Sequence, residues 1–375
     1  MHKIQSIFIL CLLMLSACTT QPPGIGSPIK WSSLQSWTSD HQGDAWDGFL
    51  NSCKKLKQQQ WQAVCDLAKQ TGEMSDAQVR EFFELNFEVR PVHAKGGLTQ
   101  GLITGYYEPL LEGSWKRSEV FQYPLYGTPQ DLLVVDLGDL YPELKKLRLR
   151  GKLDGNKVVP YYDRAQLDDG NNVLRGTEIL WVNSLVDMFF LHIQGSGRVQ
   201  LTDGSIVAVG YAEQNGHPYR SIGKVLIEME ELEKEEVTLF TIKDWLMSNP
   251  DRLTDVLSKN PSYIFFELRD AQADGPLGSL NVALTPQRSI AIDRTVIPLG
   301  APVWLQTTLP DEEQSPFNRL MLAQDTGGAI TGDIRADVFW GRGDEAQRMA
   351  GLMKQQGKLF VLLPKGYSTK EKITP

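Results

Sequence analysis

Along the chain the spacing of apolar residues changes several times, and each change predicts a different kind of element. Residues Ile7 to Leu15 form a short continuous apolar run, followed by a Thr-, Pro-, Gly- and Ser-rich stretch over 19–45 that has no sustained period and reads as a tether. From Ala45 to Lys69 the apolar positions Trp46, Phe49, Leu50, Cys53 and Leu56, then Trp61, Val64, Cys65 and Leu67, recur at three and four residues, as on a helix. Ser75 followed by Gln78 forms a capping box that starts a further helix near 76–87. After Gly96-Gly97 the segment GLITGYYEPLLEG is Gly-bounded, β-branched and aromatic, which predicts a strand entering a loop. Strand-like runs follow at Leu132–Val135, Val158–Tyr162, Asp187–Ile193 and Ile206–Val209. Two helices are expected after them, one from Ser221 and one from Thr238 or Thr241 to Ser248. The last hundred residues alternate short apolar runs (Tyr263–Leu268, Ser289–Ile292, Val303–Gln306, Leu320–Ala323, Leu359–Leu363) with Gly, Pro and Asp, around one helix at Asp344–Gln355. That spacing suggests a small closed barrel.

Composition narrows the function. The 375 residues are 41% hydrophobic and 22% charged, as in ordinary globular proteins. With 38 Lys and Arg against 46 Asp and Glu the formal charge is −8, so no phosphate-tracking surface and no nucleic acid partner is expected. Five histidines, with neither an HExxH motif nor a CxxC pair, leave few metal ligands, and no metal or other cofactor is expected. The run Ile7–Leu15 is shorter than the roughly 20 residues a spanning helix needs, so residues 1–17 read as a signal peptide. Its end, Leu15-Ser16-Ala17-Cys18, resembles the lipobox of bacterial lipoproteins, which makes Cys18 the acylated first residue of the mature chain and 18–30 the lipidated tether. A plain cleaved signal with an incidental cysteine is the alternative. Thr19 is not the Asp that commonly retains such proteins at the inner membrane, which favours the outer membrane with the body facing the periplasm. In that oxidising compartment Cys53 and Cys65 are free to pair, but a straight helix would hold them about 18 Å apart, so a bond requires a chain reversal near Lys57–Gln60.

Three aspartates stand beside Gly or Pro turn residues at strand-like runs: Asp293 in IAIDRTVIPLG, Asp325 in LAQDTGGAITG and Asp337 in IRADVFWGRG. Any one of them could be only a turn former. Three within one barrel point to a carboxylate cluster at its mouth, where each raises the others' pKa and burial beside Phe339 or Trp340 adds to the effect. Asp325-Thr326-Gly327 also matches the loop of an aspartic peptidase, but no second such loop exists to share the proton. Gln194-Gly195-Ser196-Gly197 lacks the outer Gly of a serine nucleophile elbow, and His192, on a strand-like run, has no geometry toward Ser196. TGYYEP (Thr104, Tyr106 and Tyr107 within it), HIQGSG and YAEQNGHPYRSIG (Asn215, His217, Tyr219 and Arg220) combine flat aromatic faces with Gln, Asn, Thr and Arg, the chemistry of a sugar-binding groove.

Taken together, TGYYEP, QGSGRV at Gln194–Val199, NGHPYRSIGKVL at Asn215–Leu226, DRTVIPLG, AQDTGGAITG and ADVFWG resemble the membrane-bound lytic transglycosylase A family of bacterial cell-wall enzymes. The resemblance implies an α+β chain, mainly β with N-terminal helices. A double-psi β-barrel would be built from 31–109 plus 263–375, and a groove would separate it from a substrate-binding β domain inserted at 110–262. It implies non-hydrolytic cleavage of the β-1,4 bond between N-acetylmuramic acid and N-acetylglucosamine, leaving 1,6-anhydromuramoyl ends, with Asp337 as acid and then base and Asp325 and Asp293 as neighbours. The implied partners are peptidoglycan strands, a membrane through the lipid anchor, and complexes of cell-wall enzymes. Two readings of the residues stay open beside it: a module that only binds glycan, and a hydrolase on a similar barrel in which Asp325 or Asp293 activates water.

Overall fold

A computed structural model describes residues 22–368 apart from 145–146, 170–172, 272–274 and 312–314; the signal segment and Cys18 lie outside the described residues. The N-terminal part is helical where the period predicts it, in helices Trp46–Cys53, Gln59–Gln70 and Asp76–Asn86. The Gln78 backbone donates to Ser75 Oγ while the Ser75 backbone donates to Gln78 Oε1, so the third helix starts at the expected box. Residues 54–58 turn the chain back, bringing the α-carbons of Cys53 and Cys65 to 5.3 Å, and the two cysteines are disulfide-bonded. The apolar faces of these helices meet in an aromatic cluster of Trp46, Phe49, Phe82, Phe83 and Phe87. Buried Arg288 fastens this layer to the barrel through Asp40 and Asp44, at 2.8 and 2.9 Å.

Six strands close into a ring. In order around it run Gly101–Glu108, Ala336–Arg342, Ser289–Ile292, Pro316–Asp325, Pro302–Thr308 and Lys354–Pro364, whose first residues pair back onto Gly101–Thr104. Two of the neighbours are parallel, Gly101–Glu108 with Ala336–Arg342 and Ser289–Ile292 with Pro316–Asp325; the other pairs are antiparallel. This is the closed barrel that the short apolar runs anticipate, and Val303, Leu305, Met321, Val338 and Val361 are buried in its core.

A second sheet carries Tyr123–Tyr126, Glu178–Val182, Leu110–Ser114, Ser196–Leu201, Ile206–Gln214 and Ile264–Arg269, flanked by the helices Leu185–Gln194, Ile222–Glu228, Leu239–Ser248 and Leu253–Ser258. Because Ile264–Arg269 pairs here, with Ile206–Gln214, this layer runs past the boundary at 262 read from the sequence. Three further readings need correction. The run Asp187–Ile193 lies within the helix Leu185–Gln194, capped by Ser184 and ended by Gly195 at φ 78°; a segment apolar on all sides gives no period that separates buried helix from strand. The helix at Asp344 stops at Leu352, because Lys354–Gly357 pair with Gly101–Thr104 and that pairing overrides local helix propensity. The tether is much shorter than 18–30 or 19–45: Gly24–Ile25 pair with Val92–His93, Ile29 bridges to Val89, and Trp37 is buried against Trp304.

Candidate active site

Register brings two of the three aspartates into one row. Ala291 lies opposite Asp337 on one side and Asp325 on the other, and Asp337 lies opposite Thr104 on the next strand. Residues in one cross-strand row share a face, so Thr104, Asp337 and Asp325 all point to one end of the barrel. Asp337 stands at the start of its strand and Asp325 at the end of its own. Beneath them Tyr106, Leu284, Ala291, Ile330 and Phe339 form a small apolar floor, with the Tyr106 and Phe339 rings 5.3 Å apart. Trp340, offered by the sequence as a second desolvating neighbour, packs instead against Phe317 in the main core.

The two carboxylates are held differently. Thr104 Oγ1 donates to Asp337 Oδ1 at 2.5 Å and itself receives a hydrogen bond from Arg335 Nη2 at 2.9 Å. Asp325 gathers four donors: Tyr106 Oη on Oδ2 at 3.0 Å, and on Oδ1 the Ser279 amide, the Ser279 hydroxyl and the Thr326 amide at 2.9, 2.9 and 2.8 Å. Burial is the main influence on both, pushing each carboxyl above the ordinary range. For Asp337 the Arg335 charge and the Thr104 hydroxyl pull the other way and the Asp325 charge adds to the rise, while for Asp325 the four hydrogen bonds oppose it. Asp337, with the thinner set of partners, is the better placed proton donor. Asp293 has another setting. Its carboxylate accepts from the Thr295 and Gly332 amides, both at 2.9 Å, and so ties its own turn to the loop that joins Asp325 to Asp337.

The inserted layer forms the opposite wall. Burial raises the Tyr219 phenol, a Ser221 hydrogen bond opposes the rise, and the Asp337 charge adds to it. Arg148 Nη2 reaches Thr326 Oγ1 at 3.2 Å beside Asp325. Thr104, Tyr107 and Gln194 line a cavity of about 410 Å³ between the layers, together with Leu239, Ile242 and Met353.

Other residues expected to hold sugar serve the chain itself. TGYYEP and QGSGRV, read from the sequence as separate sugar-binding segments, mate with each other. The Tyr107 amide donates to Gln194 Oε1 at 3.0 Å, a Cβ on Gly197 would lie 3.0 Å from the Pro109 carbonyl oxygen, and Arg198 Nε donates to buried Glu108 at 3.0 Å. The Arg198 amide also bonds the Pro109 carbonyl, and its Nη1 bonds the Ala271 carbonyl at 2.7 Å. Gly195 ends a helix and Ser196 begins the next strand. Asn215 is fully buried, donating to the Tyr162 and Pro261 carbonyls and accepting from the Tyr263 amide, so it cannot touch a glycan. His217 Nε2 lies 2.7 Å from the Tyr161 carbonyl, and Arg220 pairs with Glu228. His192, on its helix and not on a strand, is buried beside Arg164 and Tyr263. Arg335, Ser279 and Arg148 carried no signal in the sequence, since each acts through a partner remote in the chain. Among the described residues no three His, Cys, Asp or Glu side chains are grouped to hold a metal ion.

Comparison with known proteins places this geometry. Residues 102–267 match the family model described as the MltA specific insert domain, and residues 288–363 match the 3D domain, a double-psi β-barrel type. The chain is 32% identical over 285 residues to the membrane-bound lytic murein transglycosylase A of Vibrio cholerae, covering 74% of this chain and 69% of that protein. Among solved structures, the membrane-bound lytic murein transglycosylase of Agrobacterium tumefaciens superposes with a TM-score of 0.81 at 32% identity, covering 91% of this chain and 98% of that one. MltA of Escherichia coli with bound chitohexaose superposes at 0.64 with 26% identity, over 92% and 93% of the two chains. With the barrel, the insert and the paired carboxylates in place, the chain belongs to the membrane-bound lytic murein transglycosylase A family.

Proposed function

We propose that this chain is a peptidoglycan lytic transglycosylase that cleaves the β-1,4 bond between N-acetylmuramic acid and N-acetylglucosamine without water and leaves 1,6-anhydromuramoyl ends. The observation that carries the reading is Asp337, a desolvated carboxyl of raised pKa held by the Thr104 hydroxyl in the same cross-strand row as Asp325. Protonated at rest, Asp337 delivers its proton to the glycosidic oxygen as the bond breaks. The carboxylate left behind takes the proton of the muramoyl C6 hydroxyl as that oxygen attacks C1, which closes the anhydro ring and restores the acid. The nucleophile belongs to the substrate, so no water-activating carboxylate is required, and an aligned intramolecular attack gains effective molarities of about 10⁵ M or more. Asp325 supplies negative charge beside the oxocarbenium-like centre and supports the raised pKa of Asp337. Asp293 positions the loop between the two. Thr104 orients the acid, while Tyr219, Tyr107 and Gln194 offer the groove an aromatic face and polar edges. The chitohexaose held by the Escherichia coli relative supports a groove for β-1,4-linked amino sugars.

The barrel with its N-terminal helices forms the catalytic domain, and the stretch from Leu110 to about Arg269 forms the substrate wall. Acylation of Cys18 holds the protein to the outer membrane, facing the periplasm. The test is mass spectrometry of fragments released from purified sacculi by a soluble form beginning after Cys18, with Asp337→Asn beside it. Products one water lighter than hydrolysis products are expected, with release falling about 10²–10⁴-fold in the variant. Reducing ends of normal mass would replace this reading with hydrolysis, and binding to sacculi without release would leave a glycan-binding protein.

A further inference from the structure

Between Cys18 and the first paired residue, Gly24, stand Thr19, Thr20, Gln21, Pro22 and Pro23. Six backbone steps span at most about 20 Å, and the two prolines favour an extended, stiff path. Gly24 pairs with His93, next to the tight turn Ala94–Gln100, in which the Ala94 amide bonds the Leu98 carbonyl at 2.8 Å and Gly96 and Gly97 take φ of 81° and 77°. Those left-handed angles let the turn fold back on itself and present Leu98, 63% exposed, beside the exposed Lys95. A large apolar side chain at the tip of a turn, with a cation alongside, suits the boundary between headgroups and acyl chains.

We propose that the Ala94–Gln100 turn rests on the phospholipid bilayer, so that the anchored enzyme is docked through this end of the barrel and does not swing on a long leash. The inference rests on acylation of Cys18, part of the function proposed above. It sets the height of the chemistry: Thr104 lies six residues beyond Leu98, so the catalytic mouth stands no more than about 20 Å above the turn. An enzyme so mounted works on the glycan nearest the membrane. Another exposed apolar pair, Leu153 and Val158, 63% and 54% exposed, lies across the hairpin strands Arg150–Asp154 and Lys157–Pro160 of a separate small sheet within the insert, and it provides the comparison.

The experiment uses the full acylated chain in vesicles of phosphatidylethanolamine and phosphatidylglycerol containing a spin-labelled quencher lipid. A fluorophore is placed on Thr99→Cys or on Val158→Cys; the disulfide of Cys53 and Cys65 leaves the introduced thiol as the labelling site. Quenching several-fold stronger at 99 than at 158 is expected, reduced by Leu98→Asp and by a Gly/Ser insertion between Gln21 and Pro22. Equal quenching, or stronger quenching at 158, in protein whose Cys18 peptide carries acyl mass would overturn the docking and leave the anchor standing. A Cys18 peptide without acyl mass would overturn the anchor and the docking with it.

Discussion

Asp337 is subject to opposing influences that substitution can separate. In the proposed mechanism the acid form starts the reaction, so activity is expected to fall as pH rises through its pKa, and the position of that basic limb reports the local field. Arg335 lowers this pKa and Asp325 raises it. Arg335→Gln keeps a donor for Thr104 but removes the charge, and is expected to move the basic limb to higher pH. Asp325→Asn removes a negative neighbour and is expected to move it to lower pH, by less, since burial remains the main cause of the rise. Rate–pH profiles on sacculi check both; shifts of the same sign in the two variants would show that the limb belongs to another group. Asp337 and Asp325 are legible in the sequence because each lies in a Gly- or Pro-flanked strand end within one short-strand region. Their distinct roles are not, because the four donors around Asp325 come from residues 106, 279 and 326 and meet only in three dimensions.

At the scale of elements, the glycine of TGYYEP has a packing reason. A Cβ on Gly105 would lie 2.6 Å from Trp340 Nε1 and 2.8 Å from the Ala350 backbone, so the helix Asp344–Leu352 sits directly on this strand. Gly105→Ala is expected to cost about 1–3 kcal/mol, read as a lowered midpoint in thermal or denaturant unfolding. The helices that start at Ser75 and Thr238 were legible because their caps are local, side chain to backbone three residues on. The helix Leu185–Gln194 was not, although Ser184 and Gly195 mark its ends, because its apolar run hides the period. The groove motifs are only partly legible for a related reason. Their aromatic and polar residues suit sugar and equally suit an internal joint, and the pairing of Tyr107 with Gln194, 87 positions apart, leaves no trace in either segment alone.

For the molecule as a whole, the disulfide closes a short loop in the layer that backs the barrel and stabilises the fold by restricting the unfolded chain. Replacing Cys53 and Cys65 together by Ala is expected to lower stability by about 2–4 kcal/mol, with the product spectrum on sacculi unchanged because the pair lies away from the groove. The two halves of the groove meet where the chain leaves the barrel, at Glu108 and Pro109, and where it returns, at Ala271; Arg198 bonds all three. The insert is thus gathered at its neck by one residue, the Arg198 guanidinium holding Glu108 and Ala271 and its backbone amide holding Pro109. Descendants of such a chain can lengthen or prune the rim of the insert, as relatives at 32% identity have had ample opportunity to do, without re-aiming the wall that faces the acid.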